Sequence, residues 1–355
     1  MEVYFNLFKV KYEMLLELLR NDPTVNITAG DKVNVFINLE PIFIKLSSPR
    51  MIEYIKTNKN SNLQFISCVI NLATHYKWFF TKYNINANIY LYFPSLTTTK
   101  FKNHIYNPEY RKYYTYKFKE NVQNAPLYKM MNYSIPYLQV IIEYINGVYL
   151  IDSGSVENSV VPYVIYKEKK LNKVNNFIIS TSLYDFQYVN YDFKIIIPKK
   201  EESYVVNKTN VIDYIAEINN CEDEYTFSYE FLPFILSLVG SKNRNIYNIK
   251  GIQFKNAYKT VQTAIDNKLV TNGVTNIHML IDIVKPVWRD IIVTNYYCTD
   301  IGLQFNQLNK KDIHYIMSQI IDKFDNGSLK RINDKYFSNF PLMLMEITAL
   351  PKTIM

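Results

Sequence analysis

The first two hundred residues alternate between short apolar runs and longer stretches with helical spacing. Short runs rich in Val, Ile and Phe predict buried strands at 32–39, 87–93, 148–151, 176–180 and 193–198. Apolar residues three and four apart predict helices at 63–83, 134–144 and 155–166. Strands that alternate with helices indicate an α/β fold, with a mostly parallel sheet flanked by helices on both faces.

The two ends of the chain have a different pattern. Helical spacing over 7–20 stops at Asn21, Asp22 and Pro23, and the pattern from Val211 onward is almost entirely helical. We therefore divide the chain into an N-terminal helical segment, an α/β core, a helical region and a C-terminal helical extension, at 1–31, 32–205, 206–300 and 301–355. The boundary near 201–208 is the least distinct. Pro162 lies inside a predicted helix, where proline should bend or break it.

Composition narrows the class of protein only slightly. The net charge of +8 favours a polyanionic partner, but the many Lys, Asn, Ile and Tyr residues are also typical of an AT-rich genome. Three cysteines and four histidines are scattered without metal-ligand spacing, which argues against a disulfide framework or a zinc site. The chain begins without a signal-like segment and has no long apolar run, so we expect an intracellular protein without membrane contact.

Five segments in order carry the candidate chemistry. They are 35–38, 89–95 with the following 108–112, 154–160, 178–187 and 238–252. In this order they resemble the 5′-nuclease family, which includes flap endonucleases, phage 5′–3′ exonucleases and the small nuclease domain of bacterial DNA polymerase I. The resemblance runs from about Lys32 to Lys259. It implies a PIN-like fold whose helical region contains a helix–three-turn–helix that grips duplex phosphates.

The resemblance also implies that the metal-binding carboxylates are missing. Family members use two divalent ions, roughly 3.5–4 Å apart, to activate water and stabilise the leaving oxygen. The degenerate former metal-site positions are Asn38, Pro94, Val156, Asn158, Ser159, Ser182, Tyr184, Ser241 and Arg244. Arg244 adds repulsion of about 4 kcal/mol per unit charge at a separation of about 4 Å and an effective dielectric of about 20. We therefore expect no catalytic residue, no metal and no cofactor.

Other acids lie near these positions. A single-ion site built from Asp152, Glu157 and Asp185 is an alternative, although Glu157 and Asp185 are each one residue away from the family position. The simpler interpretation is that these acids, with Glu40, are solvated on the surface.

Two basic clusters indicate contact with nucleic acid, DNA rather than RNA. One interleaves Arg111, Lys112 and Lys117 with tyrosines, a combination that can stack bases and neutralise phosphates. The other follows the helix–three-turn–helix, with Lys242, Arg244, Lys250, Gly251, Lys255 and Lys259. Asn248 and Gln253 stand where the family has glycine, which should weaken the grip on the backbone.

Three functions remain open on these grounds. The first is an inactive nuclease-like protein that binds nucleic acid or acts as a scaffold subunit of a phage or viral replication, transcription or virion complex, in the host cytoplasm or in the virion. The second is a protein-contacting subunit without nucleic acid. The third is a divergent metal-dependent 5′–3′ exonuclease or flap endonuclease. None of them calls for a small-molecule substrate.

Overall fold

A six-stranded sheet organises the computed structural model, which describes residues 9, 11–22, 25–46, 48–94, 125–143, 145–198, 203–221, 225–241, 246–249, 251–270 and 280–320. The strand order is β3-β2-β1-β4-β5-β6. The strands are β1 Lys32–Asn38, β2 Asn86–Phe93, β3 Val148–Asp152, β4 Asn175–Ile179, β5 Lys194–Ile197 and β6 Tyr204–Val206. All neighbours are parallel except β5 and β6. The five predicted strands and the α/β class are confirmed.

Helices surround this sheet. They are α1 Tyr12–Asn21, α2 Glu40–Leu46, α3 Pro49–Thr57, α4 Ser61–Lys82, α5 Ala125–Ile142, α6 Val161–Glu168, α7 Val211–Ile218, α8 Leu232–Val239, α9 Phe254–Asp266, α10 Arg289–Tyr297, α11 Ile301–Asn306 and α12 Lys310–Ser318. Short 3-10 helices include Asn158–Val160, Leu171–Lys173 and Leu183–Tyr191. Helices α2 and α3 and strand β6 were not predicted. Strand β6 also spans the boundary expected between 205 and 206, so the division into domains stays a prediction.

The predicted helix over 155–166 forms differently from expectation. It begins as the 3-10 helix Asn158–Val160 and continues as α6, with Pro162 in the first turn of α6. A proline in that position has no N–H to leave unpaired and its fixed φ suits the helix. The expected kink or break at Pro162 is therefore wrong.

The alternation of side chains along β1 separates two hydrophobic cores. Val33, Val35 and Ile37 pack in the core on the α4 and α5 side, which we call the first core. Phe36 packs in the core that includes α6 to α8, which we call the second core. Successive residues of a strand point to opposite faces, so Asn38 lies on the same face as Phe36. The last residue of β1 therefore enters the second core from the carboxyl edge of the sheet.

We find no helix in the described part of the chain that is both long enough and apolar enough to cross a membrane.

Candidate functional site

Polar side chains collect where the parallel strands end. Asn38 is the last residue of β1, Ser180 directly follows β4, and Asn158 and Asp185 lie in the 3-10 helices that follow β3 and β4. All four are fully buried. Because these strands are parallel, their carboxyl ends share one edge of the sheet, which is where ligands bind in open α/β folds. We call Asn38, Glu40, Asn158, Ser180 and Asp185 the carboxyl-edge cluster.

Asp185 is the centre of this cluster. Its Oδ2 accepts hydrogen bonds from Asn38 Nδ2 and Ser180 Oγ, both at 2.6 Å. Ser180 Oγ in turn accepts from the backbone N–H of Ser182 at 3.0 Å. The interpretation of Asp185 as a solvated surface acid is therefore wrong. The cause is local: the segment after β4 is a 3-10 helix that buries the residues from Tyr184 to Val189, and this places Asp185 against the end of β1.

The hydrogen bonds fix the orientation of both amides. The backbone N–H of Glu40 can only donate, so Asn38 directs its Oδ1 to Glu40 N and presents its NH2 group to Asp185. Its Oδ1 then accepts from Glu40 N and from Asn158 Nδ2, both at 2.9 Å. Asn158 Nδ2 also lies 3.2 Å from Glu40 Oε2. Asn158 Oδ1 is left buried without a hydrogen-bond partner.

This arrangement does not fit a two-ion centre. Magnesium prefers six hard oxygen ligands at about 2.0–2.1 Å, mostly carboxylates, phosphates and water. Here amide NH2 groups, which a cation repels, face Asp185 Oδ2 and Glu40 Oε2. Within the described residues, no three His, Cys, Asp or Glu side chains form a group able to hold an ion, so Asp152, Glu157 and Asp185 do not form one.

The other predicted positions take separate places. Val156 and Tyr184 pack in the second core, and the carbonyl of Ser159 accepts a 2.5 Å hydrogen bond from the Tyr188 hydroxyl. Pro94 directly follows β2, and Ser241 pairs with Ile246 through two backbone hydrogen bonds of 2.9 Å. Arg244 lies outside the described residues. The structure thus brings Asn38 and Asn158 together, with Ser182 joined through Ser180.

Helix α12 covers the loop that follows β3. The Gln319 side chain accepts from Asp152 N and donates to Asp152 O, each at 2.9 Å, and Ser155 Oγ donates to Asp312 Oδ1 at 2.5 Å. Tyr315 lies against Gly154, and burial, with the nearby Asp152 carboxylate, raises the pKa of Tyr315 to about 12. No local pattern could predict these contacts, since Gln319 and Asp152 are 167 residues apart.

The segment between α8 and α9 forms the second candidate surface. Gly240 ends α8 with φ 70°, and Asn248 Nδ2 donates to Val239 O at 2.9 Å. The buried Asn295 of α10 donates to Ser237 O at 2.8 Å and to Tyr247 O at 2.9 Å. These bonds tie the segment to two helices. Residues 246–249, the described middle part of the segment, are therefore held in place on the molecular surface.

Residues predicted to bind nucleic acid lie on this surface in part. Gly251 is exposed with φ 87°, Lys255 is half-buried and Lys259 is exposed one turn later on α9. The opposite face of α9 packs in the core through Ala257, Tyr258 and other apolar residues. Lys242, Arg244 and Lys250, and the whole first cluster of Arg111, Lys112 and Lys117, lie outside the described residues.

Comparison with known proteins identifies the fold. No family model and no curated protein matches the chain by sequence. The structure is similar to the T5 D15 protein co-crystallised with metal ions, with a TM-score of 0.52 and 12% identity over 81% of this chain and 98% of that one. It is also similar to the bacteriophage T5 D15 flap endonuclease in a pseudo-enzyme–product complex with DNA and metal ions, with a TM-score of 0.50 and 11% identity over the same shares. The chain therefore has a 5′-nuclease fold, as the resemblance predicted.

Proposed function

We propose that this protein is a catalytically inactive 5′-nuclease-like protein that binds DNA as a subunit or scaffold of a phage or viral complex. The observation that supports it most is the carboxyl-edge cluster, where one amide and one hydroxyl donate to Oδ2 of the Asp185 carboxylate. The 5′-nuclease fold favours nucleic acid as the partner, because the T5 flap endonuclease of the same fold has been crystallised with DNA.

The cluster resists metal binding because its hydrogen bonds are mutually dependent. A cation beside Asp185 Oδ2 would have to displace the Asn38 NH2 group and the Ser180 hydroxyl. Hydrogen bonds to charged groups contribute about 1.5–3 kcal/mol each. Rotating the Asn38 amide to offer its oxygen would also break its bonds to Glu40 N and Asn158 Nδ2. The energetic cost therefore extends to the whole cluster.

We expect no Mg²⁺- or Mn²⁺-dependent cleavage of flap, nicked or single-stranded DNA. The physical reason is that the described carboxyl edge offers amide donors where clustered carboxylates would be needed. The measurement is a gel assay with protein in excess over labelled DNA, with and without chelator. Metal-dependent cleavage that disappears in Asp185→Asn and Glu40→Gln variants would establish the divergent nuclease instead.

The surface that best suits DNA is the segment between α8 and α9 together with the exposed face of α9. Lys255 and Lys259 are four residues apart, so they lie one above the other on that face. Gly251 leaves backbone accessible beside them, since nothing lies within 4 Å of where a Cβ would be. Lysine charges and accessible backbone N–H groups are the groups that contact phosphates without reading sequence.

Replacing Lys255 and Lys259 together by glutamine should weaken binding to a short duplex and make it less sensitive to salt. Each lost phosphate contact makes the slope of log affinity against log salt shallower by about 0.9. The measurement is fluorescence anisotropy over a series of salt concentrations. The matched control is Lys56→Gln with Lys59→Gln, two exposed lysines at the end of α3 and just after it. An equal loss of duplex affinity in both double variants would show that α9 is not part of the DNA-binding surface.

A protein-contacting subunit without nucleic acid is the second candidate. The observation that favours it is the exposure of large aromatic side chains on α4 and α5, where Trp78 is 41% and Tyr133 is 47% exposed. Aromatic residues are enriched at protein interfaces. Wild-type protein without salt-dependent DNA binding would favour this candidate over the first.

A further inference from the structure

A lysine-rich turn joins α6 to β4 at the amino edge of the sheet. Segment 167–173 contains Lys167, Lys169, Lys170 and Lys173, and Glu168 is its one acidic residue. We call these four lysines the basic turn. Strand β4 begins two residues later at Asn175 and ends before Ser180 at the carboxyl edge. Its five residues, at about 3.3 Å each, place the basic turn roughly 16 Å from the carboxyl-edge cluster.

The charge of the basic turn is not neutralised by acidic side chains. Lys167, Lys170 and Lys173 are exposed and Lys169 is half-buried. Across the described ranges, none of the four forms an ion pair. Lys167 and Lys169 instead lie 5.2 Å and 5.8 Å from the ring centroids of Tyr163 and Tyr149. Contact with an aromatic face holds an ammonium group in place but leaves its charge intact.

The backbone of the turn is fixed to the sheet. The Asn176 side chain donates to Leu171 O at 3.0 Å and to Val174 O at 2.8 Å. Asn176 itself accepts from Asn34 Nδ2 of β1 at 3.0 Å. The ring of Tyr149 that supports Lys169 stacks on Tyr90 at a centroid distance of 5.1 Å. The lysines are thus presented from an ordered support, which lowers the entropy lost when a ligand binds.

We propose that the basic turn is a second phosphate-contacting surface that takes the backbone of a nucleic acid. Clusters of lysine within five to eight residues are typical of nucleic-acid patches. This site is separate from the α9 surface and goes beyond the function proposed above. A chain with both surfaces can contact two stretches of one nucleic acid or two different molecules.

The composition of the turn favours nucleic acid over an acidic protein. Lysine is depleted from the centres of protein interfaces, where arginine and exposed aromatic side chains are enriched. Segment 167–173 has no arginine and no aromatic residue, and its one large apolar side chain, Leu171, is half-buried. Lysine as a compact point charge suits sequence-independent phosphate contacts.

The test is a triple variant, Lys167→Gln, Lys170→Gln and Lys173→Gln, which changes exposed side chains alone. Its matched control is Lys56→Gln, Lys59→Gln and Lys129→Gln, which removes the same charge from other exposed positions. We measure anisotropy of a labelled duplex over a series of salt concentrations. The slope of log affinity against log salt should become shallower by about 2.7 in the basic-turn variant if all three contacts are lost. Replacing the same three lysines by arginine should preserve the wild-type slope.

Three results would overturn this proposal. The first is an equal slope of log affinity against log salt for the basic-turn and control variants. The second is wild-type protein without salt-dependent duplex binding. The third is a basic-turn variant that loses binding to poly-L-glutamate while its duplex binding is unchanged. The last would assign the turn to an acidic protein. A basic-turn variant with the wild-type slope, beside weakened binding in the Lys255 and Lys259 variant, would reject this surface and leave the proposed function intact.

Discussion

Replacing Gly240 by alanine is expected to lower the free energy of unfolding by about 4 kcal/mol, the sum of about 1–3 each for backbone strain and overpacking. Gly240 has φ 70° and ψ −176°, a conformation that residues with a Cβ rarely adopt. An added Cβ would clash with Tyr247 O and lie 2.6 Å from Tyr247 C and 2.9 Å from Asn248 Cα. These backbone atoms cannot move freely, because Tyr247 O accepts from Asn295 and the Asn248 side chain donates to Val239 O.

Gly30→Ala is the matched control for this change. Gly30 also has a positive φ, 92°, but nothing lies within 4 Å of an added Cβ. The free energy of unfolding of Gly30→Ala should therefore fall by the backbone-strain contribution alone, about 1–3 kcal/mol. Urea unfolding monitored by circular dichroism gives both values. Equal losses in the two variants would show that the close approach of Tyr247 to Gly240 contributes nothing. Because Gly240 begins the segment between α8 and α9, we also expect weaker DNA binding in Gly240→Ala than in Gly30→Ala.

Replacing Asp185 by alanine is expected to cost about 4 kcal/mol of stability. The change removes the acceptor of both Asn38 Nδ2 and Ser180 Oγ inside a fully buried cluster. Each buried donor left without its acceptor costs about 1–3 kcal/mol. Asp185→Asn keeps one acceptor oxygen and should lose less. The measurement is again urea unfolding, performed with Mg²⁺ and with chelator.

Glu53→Ala serves as the control for removing an acidic side chain. Glu53 is exposed and pairs with Lys56 at 3.8 Å, so its loss should cost no more than about 1 kcal/mol. Because the cluster is held by hydrogen bonds among its own side chains, wild-type stability should be the same with Mg²⁺ and with chelator. Stabilisation of the wild type by Mg²⁺ that is absent from Asp185→Ala would instead show that Asp185 helps to hold an ion.

The strands could be predicted because each is a local pattern. β1, β2, β3, β4 and β5 each contain several consecutive buried apolar residues, and such runs are visible without knowing the fold. Strand β6 has three residues and α2 has seven, which is too short for periodicity to show. The parallel arrangement followed from helices lying between successive strands.

The candidate site could be predicted only where it follows directly from a strand. Asn38 ends β1, so its place at the carboxyl edge was predictable once β1 was assigned. Asp185 was missed because its partner Asn38 is 147 residues away and because the segment after β4 is a 3-10 helix rather than an α-helix. A change of helix type alters the direction of each side chain, and nothing in local spacing distinguishes the two types here.

The contact between Gln319 and Asp152 has a consequence for solubility. Among the strands that the structure describes, β3 is the outermost on its side of the sheet. Outer strands can recruit extended segments of other molecules through unpaired backbone groups. The Gln319 amide occupies both the N–H and the C=O of the last residue of β3, as a neighbouring peptide group would. The glutamine thus terminates the sheet at that corner and protects the protein against edge-to-edge aggregation there.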